Sequence, residues 1–141
     1  MTDGGPVHEK RIEIRWSDLD VYGHVNNAIY LTYLEEVRDE WLGGRLGDPD
    51  AIWNWVLARV EIDYRRELAL KDDVAVASCR LDRVGNSSVA TREEVRTADG
   101  ELAAEAKAVL VARDRESGRS RPLTAVERAA FEGPAPDGDE G

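Results

Sequence analysis

Residues 15–30 of this chain bring together the side chains best suited to chemistry. The run reads Arg-Trp-Ser-Asp-Leu-Asp-Val-Tyr-Gly-His-Val-Asn-Asn-Ala-Ile-Tyr. It holds two carboxylates, a histidine and two asparagines, and it lies between a strand-like segment and an amphipathic helix. The start of a helix presents backbone N–H groups without intrahelical partners, which can stabilise an anion or a developing oxyanion. A carboxylate and an imidazole beside such donors indicate acyl-transfer or hydration chemistry.

The elements that must position this run can be read from periodicity. Alternating apolar and charged residues from Lys10 predict a half-buried strand. A helix is expected from about Asn27 to Leu42, with Asn26 or Asn27 as its N-cap and Gly43-Gly44 as its end. One apolar stripe of this helix is predicted to face the core: Tyr30, Tyr33, Leu34, Val37 and Trp41.

The second half of the chain is typical of an antiparallel sheet. Four runs have strand-like composition: 56–64, 74–81, 88–97 and 102–112. Strict alternation along the first run predicts that Val56, Val60 and Ile62 share one face. The turn signals Gly85-Asn86 and Asp99-Gly100 separate the last three runs, and Thr124 and Glu127 form the capping box of a short terminal helix. One long helix with an alanine-rich sheet predicts an α+β fold, a five-stranded antiparallel sheet wrapped around the helix. Because one helix cannot cover such a sheet, dimerisation is expected.

The run Asp18-Leu19-Asp20, followed by Gly23-His24-Val25-Asn26-Asn27 and Tyr30, resembles the signature of hotdog-fold thioesterases. It is similar both to the 4-hydroxybenzoyl-CoA thioesterase-like group and to the plant acyl-ACP thioesterases. The resemblance implies a hotdog fold, hydrolysis of acyl-CoA, and a homodimer or homotetramer with the active site at a subunit interface. The alternatives are an acyl-ACP thioesterase, a hydratase of the same fold, or a non-catalytic acyl-CoA binding protein.

The resemblance also implies roles for three residues. Asp20 would be the catalytic carboxylate, acting as nucleophile or as general base on a water, although it could instead cap the following turn. The backbone N–H of Asn27, seven residues later, would polarise the thioester carbonyl. His24 would assist or merely hydrogen-bond the loop; the plant enzymes have an asparagine where this chain has Tyr22. Asp18 is expected to be structural.

Substrate contacts are predicted at two places. The turn Gly85, Asn86, Ser87 and Ser88 offers backbone N–H groups and hydroxyls to the pantetheine or nucleotide part of coenzyme A, or it is an ordinary hairpin. Tyr30, Trp53 and Trp55 could line an acyl pocket or belong to the core or an interface.

Composition limits the other function classes. A net charge of −10 argues against nucleic-acid binding, and no apolar run is long enough to span a membrane. Cys79 is the single cysteine and reads as a buried structural residue, which together with the absence of a leader-like start predicts a cytoplasmic protein. Asp18, Asp20 and His24 lack further ligands, so neither a metal nor a cofactor is expected. We expect a loose N-terminus at 1–8, a single domain at 9–132 and a disordered tail at 133–141.

Overall fold

The computed structural model describes residues 7–133 of the chain. Its elements are β1 (His8–Glu13), α1 (Asn27–Leu46), β2 (Trp55–Tyr64), β3 (Val74–Val84), β4 (Ser88–Thr97), β5 (Leu102–Ala112) and α2 (Ala125–Glu132). The predicted loose N-terminus and disordered tail fall mostly on 1–6 and 134–141, outside the described residues. His8 is already paired within the sheet, two residues before the expected start of the first strand.

The five strands form one antiparallel sheet in the order β1-β3-β4-β5-β2. This confirms the predicted sheet and its single long helix. Strands β3, β4 and β5 are joined by hairpins, whereas β2 does not pair with β3, which follows it in sequence. It pairs with β5 instead and occupies the opposite edge from β1. Between β2 and β3 the chain therefore crosses from the β2 edge, past β5 and β4, to the position beside β1.

The inner face of the sheet packs against α1. The predicted stripe is confirmed, since all five of its residues are buried. Small side chains on the facing strands, among them Ala75, Ala77, Ala104 and Ala106, are buried too and let the helix approach the sheet closely. Two apolar clusters result, one around Tyr30 near the start of α1 and one around Trp41 towards its end.

The predicted end of the long helix is wrong. α1 continues through Gly43-Gly44 to Leu46, and it ends at Gly47, whose φ of 73° is the left-handed conformation that favours glycine. Gly43 is buried in the helix interior, where a Cβ would come within 3.2 Å of the Pro49 backbone. This glycine permits a close approach of the following segment rather than stopping the helix.

The alternation expected along β2 is also broken. A register shift between Leu57 and Arg59 places Leu57 opposite Leu110 and Val60 opposite Ala108. Strict alternation predicted that Val56 and Val60 share a face. Because a β-bulge inserts one extra residue between them, they lie on opposite faces instead. Val56 and Leu57 remain exposed near this edge of the sheet.

Candidate functional site

Residues 15–27, which follow β1 and end on the first residue of α1, form a compact loop that we call the signature loop. It begins with a short 3-10 turn at Trp16–Asp18 and narrows into a bridge between Leu19 and Val25. Gly23 closes the tight turn with a φ of 81°, which a side-chain-bearing residue rarely adopts. The loop thereby holds Asp20 and His24 just before the start of α1.

Asp20 lies at the base of this turn and is half-buried. Its Oδ1 accepts the backbone N–H of Tyr22 at 2.9 Å and that of His24 at 3.2 Å. The capping contacts that Asp20 could make are therefore present. Its Oδ2 accepts no hydrogen bond from any other residue of 7–133, so one carboxylate oxygen stays available for chemistry.

Asp18 has the structural position expected of it. It is 1% exposed, and its carboxylate accepts hydrogen bonds from the Arg15 N–H, the Arg15 guanidinium and the Tyr33 hydroxyl. Burial alone would raise the pKa of Asp18, but these three donors outweigh it and lower the pKa. Burial and the neighbouring carboxylate together raise the pKa of Tyr33. This buried contact fixes the signature loop to α1.

His24 faces a residue that sequence reasoning missed. Its Nε2 lies 3.2 Å from Oε1 of Glu67, on the segment that joins β2 to β3. That segment is held against the signature loop, because the Val25 N–H donates to the Leu68 carbonyl at 2.7 Å and His24 bridges to Ala69. No local sequence pattern could have paired His24 with Glu67, because the two residues lie far apart in the chain. The sequence showed only that Glu67 is an acidic residue in a segment without regular periodicity.

Tyr30 helps to hold the same segment. Its hydroxyl donates to the Arg66 carbonyl at 3.2 Å and accepts the Leu68 N–H at 3.0 Å. The ring is 2% exposed and packs edge-on against Tyr64 with centroids 5.2 Å apart. Tyr30 thus has a packing role, and its predicted contact with substrate stays a prediction.

Asn27 is the first residue of α1. The Asn26 side chain accepts the Ala28 N–H at 2.8 Å, which confirms Asn26 as the N-cap. The Asn27 N–H donates to no acceptor within residues 7–133 and points out of the first helical turn, where the helix dipole is positive. The Asn27 carbonyl accepts the Tyr64 hydroxyl at 3.0 Å, which ties β2 to the helix start.

The turn at Gly85–Ser88 lies at the far end of β3. The signature loop contacts residues just before β3, and the turn follows it, so about 30 Å of strand separates them. The turn is well supported: the Asn86 carbonyl accepts the Leu123 N–H at 3.0 Å, and Arg128 donates to the Gly85 carbonyl at 3.0 Å. The N–H groups of Asn86 and Ser87 have no acceptor within residues 7–133. One protomer therefore does not bring the two predicted parts of the site together.

A cavity of about 590 Å³ lies between α1 and β2. Its helix side runs from Leu31, one turn after Asn27, to Leu42, a length of about 16 Å. Trp53 and Trp55 line it as predicted for an acyl pocket, whereas Tyr30 does not. The cavity is open at the β2 edge of the sheet, where Trp53 and Leu57 are exposed.

A buried ion pair borders this cavity. Arg38 lines it and donates to both carboxylate oxygens of Glu93 at 2.8 Å, and both side chains are almost fully buried. The Thr91 hydroxyl also donates to Glu93 at 2.6 Å. The pair joins α1 to β4 across 55 residues of sequence, so periodicity gave no indication of it. It fixes the spacing between helix and sheet.

The described residues contain no group of three or more histidine, cysteine, aspartate and glutamate side chains that could hold a metal ion. Cys79 is buried beside Glu93, and burial raises the pKa of its thiol, as expected of a structural cysteine. No helix within residues 7–133 combines the length and apolar character needed to cross a membrane.

Comparison with known proteins places these features in context. The model of the thioesterase-like superfamily matches residues 14–131. The long-chain acyl-CoA thioesterase FadM of Escherichia coli is 30% identical over 132 residues, which cover 88% of this chain and 96% of the relative.

Solved structures agree. A thioesterase of Thermus thermophilus, crystallised with coenzyme A and zinc, superposes with a TM-score of 0.81 at 35% identity, covering 92% of this chain and 94% of that one. The PA5185 protein of Pseudomonas aeruginosa gives a TM-score of 0.76 at 28% identity over 88% of both chains. These likenesses confirm the hotdog fold predicted from the signature loop.

Proposed function

Since the chain belongs to the thioesterase-like superfamily and is a thioester hydrolase, we propose that it hydrolyses acyl-CoA to a free acid and coenzyme A. The observation that carries this proposal is the presence, in one loop and the helix start that follows it, of a free Asp20 carboxylate oxygen and the unpartnered Asn27 N–H. The similarity to FadM and to a coenzyme A-bound thioesterase supports coenzyme A as the carrier.

The reaction follows from the chemistry of these groups. The Asn27 N–H donates to the thioester carbonyl and stabilises the oxyanion that forms on attack. Asp20 either attacks the carbonyl carbon, giving a mixed anhydride and a thiolate, or takes a proton from the attacking water. His24 supplies a proton to the departing thiolate, and Glu67 is a positioning residue that orients the imidazole.

Single-turnover hydrolysis in ¹⁸O-labelled water separates the two roles of Asp20. A nucleophilic Asp20 gives an anhydride; if water then attacks its aspartyl carbonyl, the label enters the Asp20 carboxylate. A general base sends the label only into the released acid. Peptide mass analysis of the signature loop after one turnover reads the difference, and a labelled Asp20 establishes the anhydride.

The cavity beside α1 is the proposed acyl site. It starts one turn after Asn27 and runs for about 16 Å, which suits a chain of roughly a dozen carbons rather than a short acyl group. Its lining includes leucine, isoleucine, valine and tryptophan side chains, as a methylene chain requires. The long-chain activity named for FadM is in line with this length.

Two copies of the chain are proposed to complete the site. The two parts of the predicted site lie at opposite ends of β3, so a substrate that uses both needs the Gly85–Ser88 turn of a second copy. The edge strand β2 offers unpaired backbone groups and the exposed side chains of Val56 and Leu57 for this pairing. Val56→Lys should therefore give a lighter particle with little hydrolysis, whereas Val126→Lys on the exposed face of α2 should change neither. An unchanged mass for Val56→Lys would place the interface elsewhere.

The function itself is tested by release of free thiol from a panel of aliphatic and aromatic acyl-CoAs. Wild type should turn over long aliphatic esters best, and Asp20→Asn should lose about 10²–10⁴-fold in kcat because the base or nucleophile is gone. Circular dichroism and thermal melting control for folding. Unchanged activity in Asp20→Asn would assign the role of catalytic carboxylate to Glu35, which lines the cavity, instead of Asp20. No turnover of any CoA ester by wild type would point to acyl-ACP substrates or to a binding protein.

A further inference from the structure

Two polar residues of the sheet line one end of the cavity beside α1. Trp55 is the first residue of β2, and Arg113 directly follows β5. Trp55 is paired with Ala112, and the Arg113 N–H donates to the Asn54 carbonyl at 2.9 Å, so the two residues are neighbours across the pair of strands. We call this place the distal end of the cavity.

The distal end lies away from the proposed reaction centre. Tyr64, the last residue of β2, donates to the Asn27 carbonyl, whereas Trp55 begins the same strand. Leu42 is the cavity residue of α1 farthest from Asn27 in sequence, and it shares an apolar cluster with Trp55. An acyl chain with its thioester at the Asn27 N–H that follows the cavity therefore points its last carbons at Trp55 and Arg113.

Both residues of the distal end carry hydrogen-bond donors that the chain leaves unused. Trp55 is 6% exposed, and its Nε1 is buried without an acceptor among residues 7–133. The Nε of Arg113 is buried in the same way, and within the described chain its guanidinium has no carboxylate within 4.0 Å. Arg38, the other arginine of the cavity wall, is by contrast satisfied by Glu93. Since a buried donor without an acceptor costs free energy, the distal end favours a ligand that brings an acceptor.

The helix side of the cavity decides which acceptor fits. Asp39 lines the cavity one turn before Leu42, and its carboxylate accepts no hydrogen bond from the rest of residues 7–133. A carboxylate at the end of the acyl chain would be attracted by Arg113 and repelled by Asp39. A methyl group would leave all three polar side chains without a partner. A hydroxyl both accepts and donates a hydrogen bond, so it suits the N–H donors and the carboxylate together.

We propose that the distal end selects an acyl chain with a hydroxyl group on its last carbon, bound by the Trp55 indole, the Arg113 guanidinium and the Asp39 carboxylate. The proposal rests on the proposed function, because it takes the thioester to lie at Asn27, and it deepens that function by naming the class of acyl group. Hydrolysis of such an ester releases an ω-hydroxy acid and coenzyme A. The three residues determine specificity and take no part in breaking the thioester bond.

The sign of one comparison tests the proposal. In a purely apolar cavity the added hydroxyl would be buried without a partner, so ω-hydroxydodecanoyl-CoA would be a poorer substrate than dodecanoyl-CoA. A distal end that binds the hydroxyl reverses this order, and kcat/KM should be about ten-fold higher for the hydroxylated ester. Because both esters are assayed on one preparation of the full chain, the ratio does not depend on the fraction that is folded.

Variants assign the preference to the two donors. Trp55→Phe removes the indole N–H and Arg113→Met removes the guanidinium, so each should lower the ratio several-fold, and the double variant should prefer dodecanoyl-CoA. Trp41→Phe is the matched control. Trp41 is also buried, its Nε1 also lacks an acceptor among residues 7–133, and it also packs against Phe131, but it does not line the cavity. Its ratio should equal that of wild type.

The possible outcomes separate this proposal from the proposed function. A wild-type ratio of one or less, or a ratio that Trp55→Phe and Arg113→Met leave unchanged, would overturn the hydroxyl site while hydrolysis stands. Faster turnover of dodecanedioyl-CoA than of the hydroxylated ester would overturn it too, since the distal end would then bind an anion. If wild type hydrolyses none of these esters, the proposed function fails, and calorimetric titration with the intact esters decides the site. A lower Kd for the hydroxylated ester would support the site, and an equal or higher Kd would overturn it.

Discussion

The two ends of β3 carry the two parts of the predicted site, and they differ in how they are held. At the first end, the signature loop is fixed by the buried Asp18 carboxylate and by the segment before β3. At the other end, the Gly85–Ser88 turn is held through its backbone carbonyls by α2 and the segment before it. The first end is built around charged side chains that can do chemistry, and the second around free N–H groups that can only bind. In the proposed function, reaction and carrier recognition are therefore separate parts of the fold, which a second copy would bring together.

The largest effect on the first end should come from Asp18→Asn. The substitution removes a buried anion that three donors hold, so the free energy of unfolding should fall by about 1–3 kcal/mol. Chemical denaturation measures it. Asp114→Asn, at an exposed carboxylate that caps a surface turn, is the matched control and should change stability much less. Equal losses in the two variants would contradict the anchoring role of Asp18.

The same carboxylate predicts a pH dependence. The pKa of Asp18 is lower in the folded chain than its ordinary value of 3.8, so its stabilising contribution is complete above that value. It is lost as the pH falls through the folded pKa, when the carboxylate takes up a proton. Tyr33→Phe removes one of the donors and should flatten the acid limb of a stability-versus-pH curve. A limb as steep as that of wild type would show that other carboxylates control it.

A smaller effect is expected at Glu67. Glu67→Gln keeps the side-chain shape but removes the negative charge beside His24, so kcat should fall several-fold while KM stays near the wild-type value. Glu101→Gln, at another exposed glutamate paired with an arginine, is the control and should leave both constants unchanged. An acidic aryl thiol leaves as a thiolate more readily and needs less protonation. With a thioester of such a thiol, the loss of kcat in Glu67→Gln should therefore be smaller. An equal deficit with both leaving groups would assign Glu67 a purely structural role.

The smallest effect is expected at the turn. Asn86→Ala with Ser87→Ala removes the polar side chains but leaves the backbone N–H groups, so KM for acyl-CoA should rise about two- to five-fold with kcat unchanged. Ser117→Ala, in an exposed loop, serves as the control. If KM does not move with acyl-CoA, the turn is an ordinary hairpin and the contrast between the two ends of β3 disappears.

Local patterns predicted what is locally determined. The N-cap at Asn26, the apolar stripe of α1 and the capping box of α2 each depend on residues within one or two turns, and all three are confirmed. The signature loop was recognisable for the same reason, since its residues are adjacent in sequence. The catalytic roles of Asp20, His24 and Asn27 remain predictions.

What failed or was missed depends on contacts between distant segments. Gly43 reads as a helix stop because its role, close contact with Pro49, is visible only after the chain folds back. The bulge at Leu57 is a property of the register between β2 and β5, and the sequence of β2 alone does not reveal that register. Glu67 beside His24, and Arg38 bound to Glu93, join segments far apart in the chain and carry no local signal.

The position of β2 has a consequence for the order in which the protein can form during synthesis. Within residues 7–133 its one strand partner is β5, which begins roughly 40 residues after β2 ends, a delay of a few seconds at the usual rate of translation. Until β5 emerges, β2 has neither a strand beside it nor a sheet beneath it on a newly made chain. β1, α1, β3 and β4 can meet before that moment. β2, the strand that we propose pairs with a second copy, is thus the last strand to find its partner within the chain. When many chains are synthesised close together, it is therefore the strand most open to pairing with a neighbouring chain.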